Sequence, residues 1–326
     1  MSRVAAIDCG TNSVRLLITD IKGETQTDLE RRMEIVRLGQ GVDRTGMLAP
    51  DALQRTFDAM CEYRRLIRRH AAPHLAGPVG LFVPSAGVAT TGLQCADLMP
   101  VRVVATSATR DATNRDEFVA GVREIFGVDP EVITGHEEAE LSFTGATRSI
   151  SGIEPPYLVV DIGGGSTEFV LGNTSVDAAL SVDIGCVRLT ERHTGPDGLD
   201  VAGVIRDVEA ALAQVEQVVP IRTAKTLIGL AGSVTTVAGI ALDLPEYDPE
   251  KIHHSRIPVA QVHEIAARLP QMTHEQRAAI PVMHPGRVDV ISTGATILDQ
   301  IMRHYGFPDV VVSEHDILDG IAWSIA

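Results

Sequence analysis

Residues 4–18 read VAAIDCGTNSVRLLI, and residues 157–171 read YLVVDIGGGSTEFVL. Aligned on Asp8 and Asp161, they also pair Gly10 with Gly163 and Ser13 with Ser166. Each is an apolar run, an Asp-x-Gly turn, a small polar loop and a second apolar run: strand, tight loop, strand. A repeat of this kind sets the architecture before other features are weighed, and here it predicts two copies of one domain. In the second copy Gly163, Gly164 and Gly165 strip side chains from the loop, so its N–H groups are free to close around phosphate oxygens. A P-loop is set aside because no lysine follows the glycines. A dinucleotide-binding turn is set aside because it needs a helix next, whereas Thr167 to Leu171 reads as a strand.

A glycine-rich hairpin between two strands resembles instead the phosphate clamp of the actin-like ATPases. A purely structural hairpin is the plainer alternative, weakened by there being two such loops, each preceded by an aspartate. Outward from the repeat, further strands are predicted at EIVRLG near residue 34, at 101–106, 131–134, 176–184, 226–231 and 309–312. Helices are predicted over 51–70, 114–126, 136–149, 186–193, 199–218, 233–242, 259–269, 286–304 and about 315–325. Asn114 with Glu117, and Thr134 with Glu137, have capping-box spacing. Alternating elements with apolar strand cores indicate an α/β protein of mixed sheets covered by helices. The loop SGIEPP, 151–156, is the best boundary. It divides a first domain, 1–152, from a second, 153–314, with the closing helix of 315–326 packing back on the first.

The 326 residues suit two domains, and the net charge of −15 argues against a nucleic-acid scaffold, whose footprint is basic. It does not exclude an anionic substrate, since a small cleft can be locally positive. Lys22, Lys225 and Lys251 are the only lysines, so anion contacts must come from arginines, backbone N–H groups and hydroxyls. Cys9, Cys61, Cys95 and Cys186 are too scattered for a disulfide framework or a zinc site, and suit a reducing compartment. A strand starts at once, leaving no room for a signal peptide, and no apolar run is long enough to span a membrane. A cytoplasmic protein is therefore expected.

Asp8 and Asp161 stand where the two repeat strands end, able to face each other across a cleft. Either alone could cap a turn, but together they favour a divalent metal, since Mg²⁺ is commonly held by one or two carboxylates, waters and substrate phosphates. Glu168, two residues past Ser166 on one strand face, is a third candidate, or else a solvated strand residue. In THEEAEL a capping box would occupy Glu137 and leave Glu138 free at a helix start, where a carboxylate stays ionised. Such a group is a weak base, but phosphoryl transfer asks little more of it than orienting water. Ser107, Thr109 and Arg110 in TSATRDA, and Gly232 with Ser233 in GLAGSVTT, follow strands and open helices, and are anion-site candidates or ordinary turns. Arg64, Arg65, Arg68 and Arg69 stack on one helix and read first as a solvated face.

The segments AIDCGTNSVRLL, ATSATRDATNRDEF, EVITGHEEAEL, LVVDIGGGSTEFV, SVDIGCVRLTE and GLAGSVTT together resemble the exopolyphosphatase/guanosine pentaphosphate phosphohydrolase (Ppx/GppA) family. The resemblance implies two actin-like (ribonuclease H-like) domains with the active site in the cleft between them. It implies Mg²⁺, with Mn²⁺ an alternative, and release of terminal phosphate from inorganic polyphosphate or guanosine pentaphosphate (pppGpp). It implies Glu138 as the catalytic carboxylate, with Asp8, Asp161 and Glu168 near metal. Around phosphate it implies Thr11, Asn12 and Ser13, the run Gly163, Gly164, Gly165 and Ser166, and Arg110. A homodimer is the expected assembly. Long members carry a C-terminal helical domain of HD type that this sequence lacks, so a preference for short polyphosphate is expected. The stretch 72–100 departs from the family pattern and reads as an insertion in the first domain. A nucleoside triphosphatase, a nonhydrolytic nucleotide-binding regulator and a sugar kinase on the same fold are the competing readings. A glutamate at position 138 disfavours the regulator.

Overall fold

The computed structural model describes residues 2–71 and 98–326. The stretch expected to be an insertion lies, apart from residues 98–100, outside them. The first half contains strands β1 (Ser2–Cys9), β2 (Ser13–Lys22), β3 (Thr25–Ile35), β4 (Val101–Ala105) and β5 (Glu131–Val132). Its helices are α1 (Val42–Thr45), α2 (Pro50–Ala71), α3 (Ser107–Asp111), α4 (Arg115–Phe126) and α5 (Gly135–Thr147). The second half contains β6 (Tyr157–Ile162), β7 (Thr167–Gly172), β8 (Val176–Val182), β9 (Thr194–Gly195), β10 (Gly198–Leu199), β11 (Thr226–Leu230), β12 (Arg256–Pro258) and β13 (Asp309–Val312). Its helices are α6 (Cys186–His193), α7 (Val201–Val218), α8 (Ala231–Ala241), α9 (Pro249–Ile252), α10 (Val259–Arg268), α11 (His274–Ala278), α12 (Ile291–Tyr305) and α13 (Ile317–Ser324).

The repeat is carried through to topology. The first sheet runs β3-β2-β1-β4-β5, and the second runs β8-β7-β6-β11-β13 with β12 added at its edge. In each, three strands form an antiparallel meander and two more add in parallel. The layers follow from strand alternation. Ala5 and Ile7 face α2 and α4, joining Tyr63 and Phe118, while Val4 and Ala6 face α13, joining Ile317, Leu318 and Ile321. On β6, Leu158 and Val160 face the core of α7, α8, α10 and α12, whereas Val159 packs on Ala139 and Phe143 of α5. So α13 lies on the first sheet, α5 lies on the second, and both occupy the space between the sheets. They touch through glycines: a Cβ on Gly145 would fall 1.8 Å from the Asp316 carbonyl oxygen, and one on Gly320 would fall 2.0 Å from that of Leu141.

Several local expectations are corrected. The third strand ends at Ile35, because Val36 and Arg37 donate to the Asn12 carbonyl and leave the sheet. Asn114 does not cap α4: its side chain accepts from Leu48 N at 2.8 Å and donates to the Leu48 carbonyl at 3.1 Å. Thr134 does accept from Glu137 N, but the Glu137 carboxylate meets Arg102 at 3.2 Å. Helix α12 starts at Ile291, a short 3₁₀ turn over Pro285–Arg287 taking the place of its expected first turn. No described helix is long and apolar enough to cross a membrane.

Candidate active site

The alternation that builds the layers also aims the acids. Asp8 follows Val4 and Ala6 on the inner face of β1, and Asp161 follows Val159 on the inner face of β6. Each therefore points into the space between the sheets, at the end where its strand turns. The turns are equivalent in hydrogen bonding: Gly10 N donates to the Ser13 carbonyl at 3.0 Å, and Gly163 N donates to that of Ser166 at 3.0 Å.

The glycine loop becomes a cradle because its carbonyls are turned away. Cys186 N donates to Gly163 O, Val187 N and Arg188 N donate to Gly164 O, and Arg188 Nε donates to Gly165 O. In a planar trans peptide the C=O and N–H point in opposite directions, so the N–H groups of Gly164, Gly165 and Ser166 face the cavity side. Gly185 permits the approach, since a Cβ there would lie 2.2 Å from Gly164 O. The first loop is held the same way, with Asn12 O accepting from Val36 and Arg37 and Thr11 O accepting from Gly39.

A cavity of about 90 Å³ collects these groups. Asp8, Thr11, Asn12, Ser13, Ser107, Glu138, Asp161, Gly163, Gly164, Gly165, Ser166, Gly232 and Ser233 all line it. Two expected residues stand behind its wall. Arg110 Nη1 donates to Glu138 Oε2 at 3.1 Å and to the Ile133 carbonyl at 2.9 Å, and so holds the carboxylate. Glu168 is not among the lining residues and accepts from Ser181 Oγ at 2.7 Å. Ser142, one turn after Glu138, donates to Asp161 at 2.7 Å.

Three contributors were not singled out from the sequence. Arg15 donates to Asp8 Oδ2 at 2.7 Å and also to Asp316, the residue that caps α13. The repeat held the signal for it, since Arg15 pairs with Asp8 across the hairpin as Glu168 pairs with Asp161. Arg287 lies over the start of α8, where a Cβ on Gly232 would fall 1.1 Å from its Nη1. Its guanidinium donates to Met33 Sδ at 3.5 Å, and burial holds its pKa below the usual arginine range. No local pattern marks it, because the loop that carries it is remote in sequence. Arg188 is the third. At the same wall Ala231 adopts φ 67°, a conformation costly for a residue with a Cβ.

Burial raises the pKa of all four acids, Asp8, Glu138, Asp161 and Glu168. Repulsion from neighbouring acids adds to it, Asp316 acting on Asp8 and Asp161, Asp161 on Glu138, and Glu138 on Glu168, while Arg110 works the other way on Glu138 and Arg15 on Asp8. Asp8 Oδ1 is buried with no hydrogen-bond partner. An orphaned carboxylate oxygen in a field of crowded acids fits a cation. Among the described residues no group of three or more acids, histidines or cysteines is placed to hold a metal ion. Replacing Arg110 by glutamine is expected to hold the Glu138 proton to higher pH. The acid limb of a kcat/KM profile should then move upward, and an unmoved limb would show that Glu138 does not set it.

Residues 91–326 match the model of the Ppx/GppA phosphatase family. The chain belongs to that family. It is 46% identical to exopolyphosphatase 2 of Mycobacterium tuberculosis over 343 aligned positions, covering 100% of this chain and 99% of the relative. A crystal structure of an exopolyphosphatase-like protein is similar at 36% identity and TM-score 0.85, with 98% of each chain covered. The Ppx/GppA protein of Aquifex aeolicus is similar at 28% identity and TM-score 0.76, with 99% of this chain and 97% of that one covered. The doubled sheet is thus the actin-like fold of Ppx/GppA proteins. Within this Ppx/GppA chain, the cavity between the sheets is where all but two of the expected site residues meet.

Proposed function

We infer that this Ppx/GppA protein is an exopolyphosphatase, hydrolysing the terminal phosphoanhydride bond of inorganic polyphosphate, with two actin-like domains meeting at residues 152 and 153. The observation that carries this reading is the convergence of two outward-turned amide loops, the start of α8 and the Glu138 carboxylate on one small cavity. The terminal phosphate is received by N–H groups of the glycine loop, by Thr11, Asn12, Ser13 and Ser107, and by Gly232 and Ser233. Arg287 supplies positive charge from the wall. Glu138, held by Arg110, accepts a hydrogen bond from the attacking water and turns its lone pair to phosphorus. The water oxygen bonds to phosphorus as its proton passes to Glu138 and the bond to the bridging oxygen breaks, so that orthophosphate forms and the shortened chain leaves with that electron pair. Asp8 and Asp161 would hold Mg²⁺, or Mn²⁺, which offsets charge on the phosphate oxygens when bound. Preorganised donors aimed at developing charge are the main source of rate in such a transfer.

The cleft provides few positive groups beyond the first phosphates, and the chain carries a net charge of −15. Short polyphosphate should therefore be preferred to long chains at equal numbers of chain ends, with activity lost in excess EDTA. Long chains degraded first, without intermediates, would sink the preference, and full activity in EDTA would sink the metal. A second reading is favoured by a neighbouring cavity of about 460 Å³ that shares Arg15, Ala231, Gly232 and Arg287 with the first. Met33, Val282, Met283 and Tyr247 give it apolar walls suited to a nucleobase, while its Arg31 and Arg32 are already paired with Asp319 and Glu30. Phosphate release from polyphosphate beside pppGpp and ATP separates the two readings.

A further inference from the structure

Arg188 joins the glycine loop to the opposite side of the cleft. Its Nε donates to Gly165 O at 2.7 Å. Its Nη1 donates to Asp43 Oδ1 at 2.7 Å, and its Nη2 donates to Asp111 Oδ2 at 2.5 Å and to Ser107 Oγ at 3.2 Å. Arg188 lies on α6 of the second half, whereas Asp43 on α1 and Ser107 and Asp111 on α3 belong to the first. The Arg188 side chain is 12% exposed, against 24% for Asp43 and 35% for Asp111, so the guanidinium is the buried partner of each pair. Arg192 on the same helix also reaches Asp43, but its side chain is 39% exposed. Drawing the Gly165 carbonyl toward Arg188 turns the N–H of the same peptide, that of Ser166, toward the cavity. One planar guanidinium thus sets the direction of a cradle amide and grips both sides of the cleft. A lysine, with a single nitrogen, could not meet four acceptors so spread.

We propose that Arg188 is a positioning residue, a latch that fixes the Ser166 amide toward phosphate when α1 and α3 are closed over the glycine loop. The latch rests on the hydrolytic reading of the cleft but does not share all of its tests. Separating the halves pulls Asp43 and Asp111 away from the guanidinium. The Gly165–Ser166 peptide then loses the support that holds it in one orientation. The site is complete only in the closed molecule.

The test uses the full chain with R188Q, R188K and D43N, each measured for kcat and KM on short polyphosphate, for melting temperature and for radius of gyration by small-angle X-ray scattering. R188Q should lower kcat by about 10²-fold, the usual consequence of losing one preorganised donor, with KM within threefold of wild type. R188K should recover part of that loss, since it returns the charge without the fork. D43N keeps the Gly165 contact and should lose less than R188Q. Both R188Q and D43N should scatter as more open molecules than wild type. The latch is overturned if R188Q keeps kcat within threefold of wild type, or scatters identically to it. A kcat loss that merely tracks a fall in melting temperature, with R188K no better than R188Q, overturns it as well. A wild-type chain that releases no phosphate sinks the hydrolytic reading alone, because the scattering comparison still decides the latch.

Discussion

Glu138→Ala is expected to reduce phosphate release about 10³-fold or more, equivalent to about 4 kcal/mol on the barrier. Substrate binding should change little. The carboxylate is 7% exposed, lines the cavity, and is held by Arg110 at 3.1 Å, while the phosphate-binding groups belong to other elements. Removing it deletes the acceptor that orients water without touching the amide cradle. Single-turnover phosphate release, beside equilibrium binding of a short polyphosphate, separates the two effects. Glu138→Gln should keep the shape and, with its one carbonyl oxygen toward Arg110, the Arg110 contact, yet lose nearly as much, because the remaining position then presents an NH2 donor to the water and cannot take its proton. An alanine variant keeping a tenth of wild-type turnover would remove Glu138 from the mechanism.

The second large effect lies away from the chemistry, where α5 crosses α13. Gly320→Ala should stabilise an isolated helix by about 1 kcal/mol, since alanine is the better helix former. Here the added Cβ would lie 2.0 Å from the Leu141 carbonyl oxygen, and backbone cannot step aside as a side-chain end can. The expected net change is a destabilisation of about 3 kcal/mol, the cost of an overpacked contact, and a melting temperature lower by roughly 6 °C. The reversal of sign makes the result diagnostic. Because α5 carries Glu138, and α13 starts at Asp316, which Arg15 joins to Asp8, kcat should fall too. A variant melting at or above the wild-type temperature would mean the helices are not in that contact.

Much of this site was legible in the residues. The repeated strand–loop–strand stretch gives two hairpins of equal hydrogen bonding, and period-two alternation sends Asp8 and Asp161 to inner faces whatever packs beyond them. Three successive glycines mark a loop whose amides are exposed, and Thr134 marks the helix start that presents Glu138. These depend on neighbours a few residues apart, and dihedral preference, strand alternation and turn hydrogen bonds act over that range.

The arginines depend on something else. Their long side chains take whichever acid the fold brings within reach, so sequence spacing does not name the partner. Arg110 looks like a phosphate ligand beside its turn, yet it holds Glu138. Arg15 neutralises Asp8 and ties it to Asp316, which stands at the other end of the chain. Arg287 comes from a remote loop to lie on Gly232. Glu168 reads as a metal candidate from its strand position, and its Oε1 accepts from Ser181 of the next strand, a partner the sequence spacing did not name. The sequence by itself determined the doubled sheet, the two hairpin loops that follow Asp8 and Asp161, and the position of Glu138. Only the tertiary structure decided which charges face the substrate and which face one another, because that depends on distances between elements far apart in the chain.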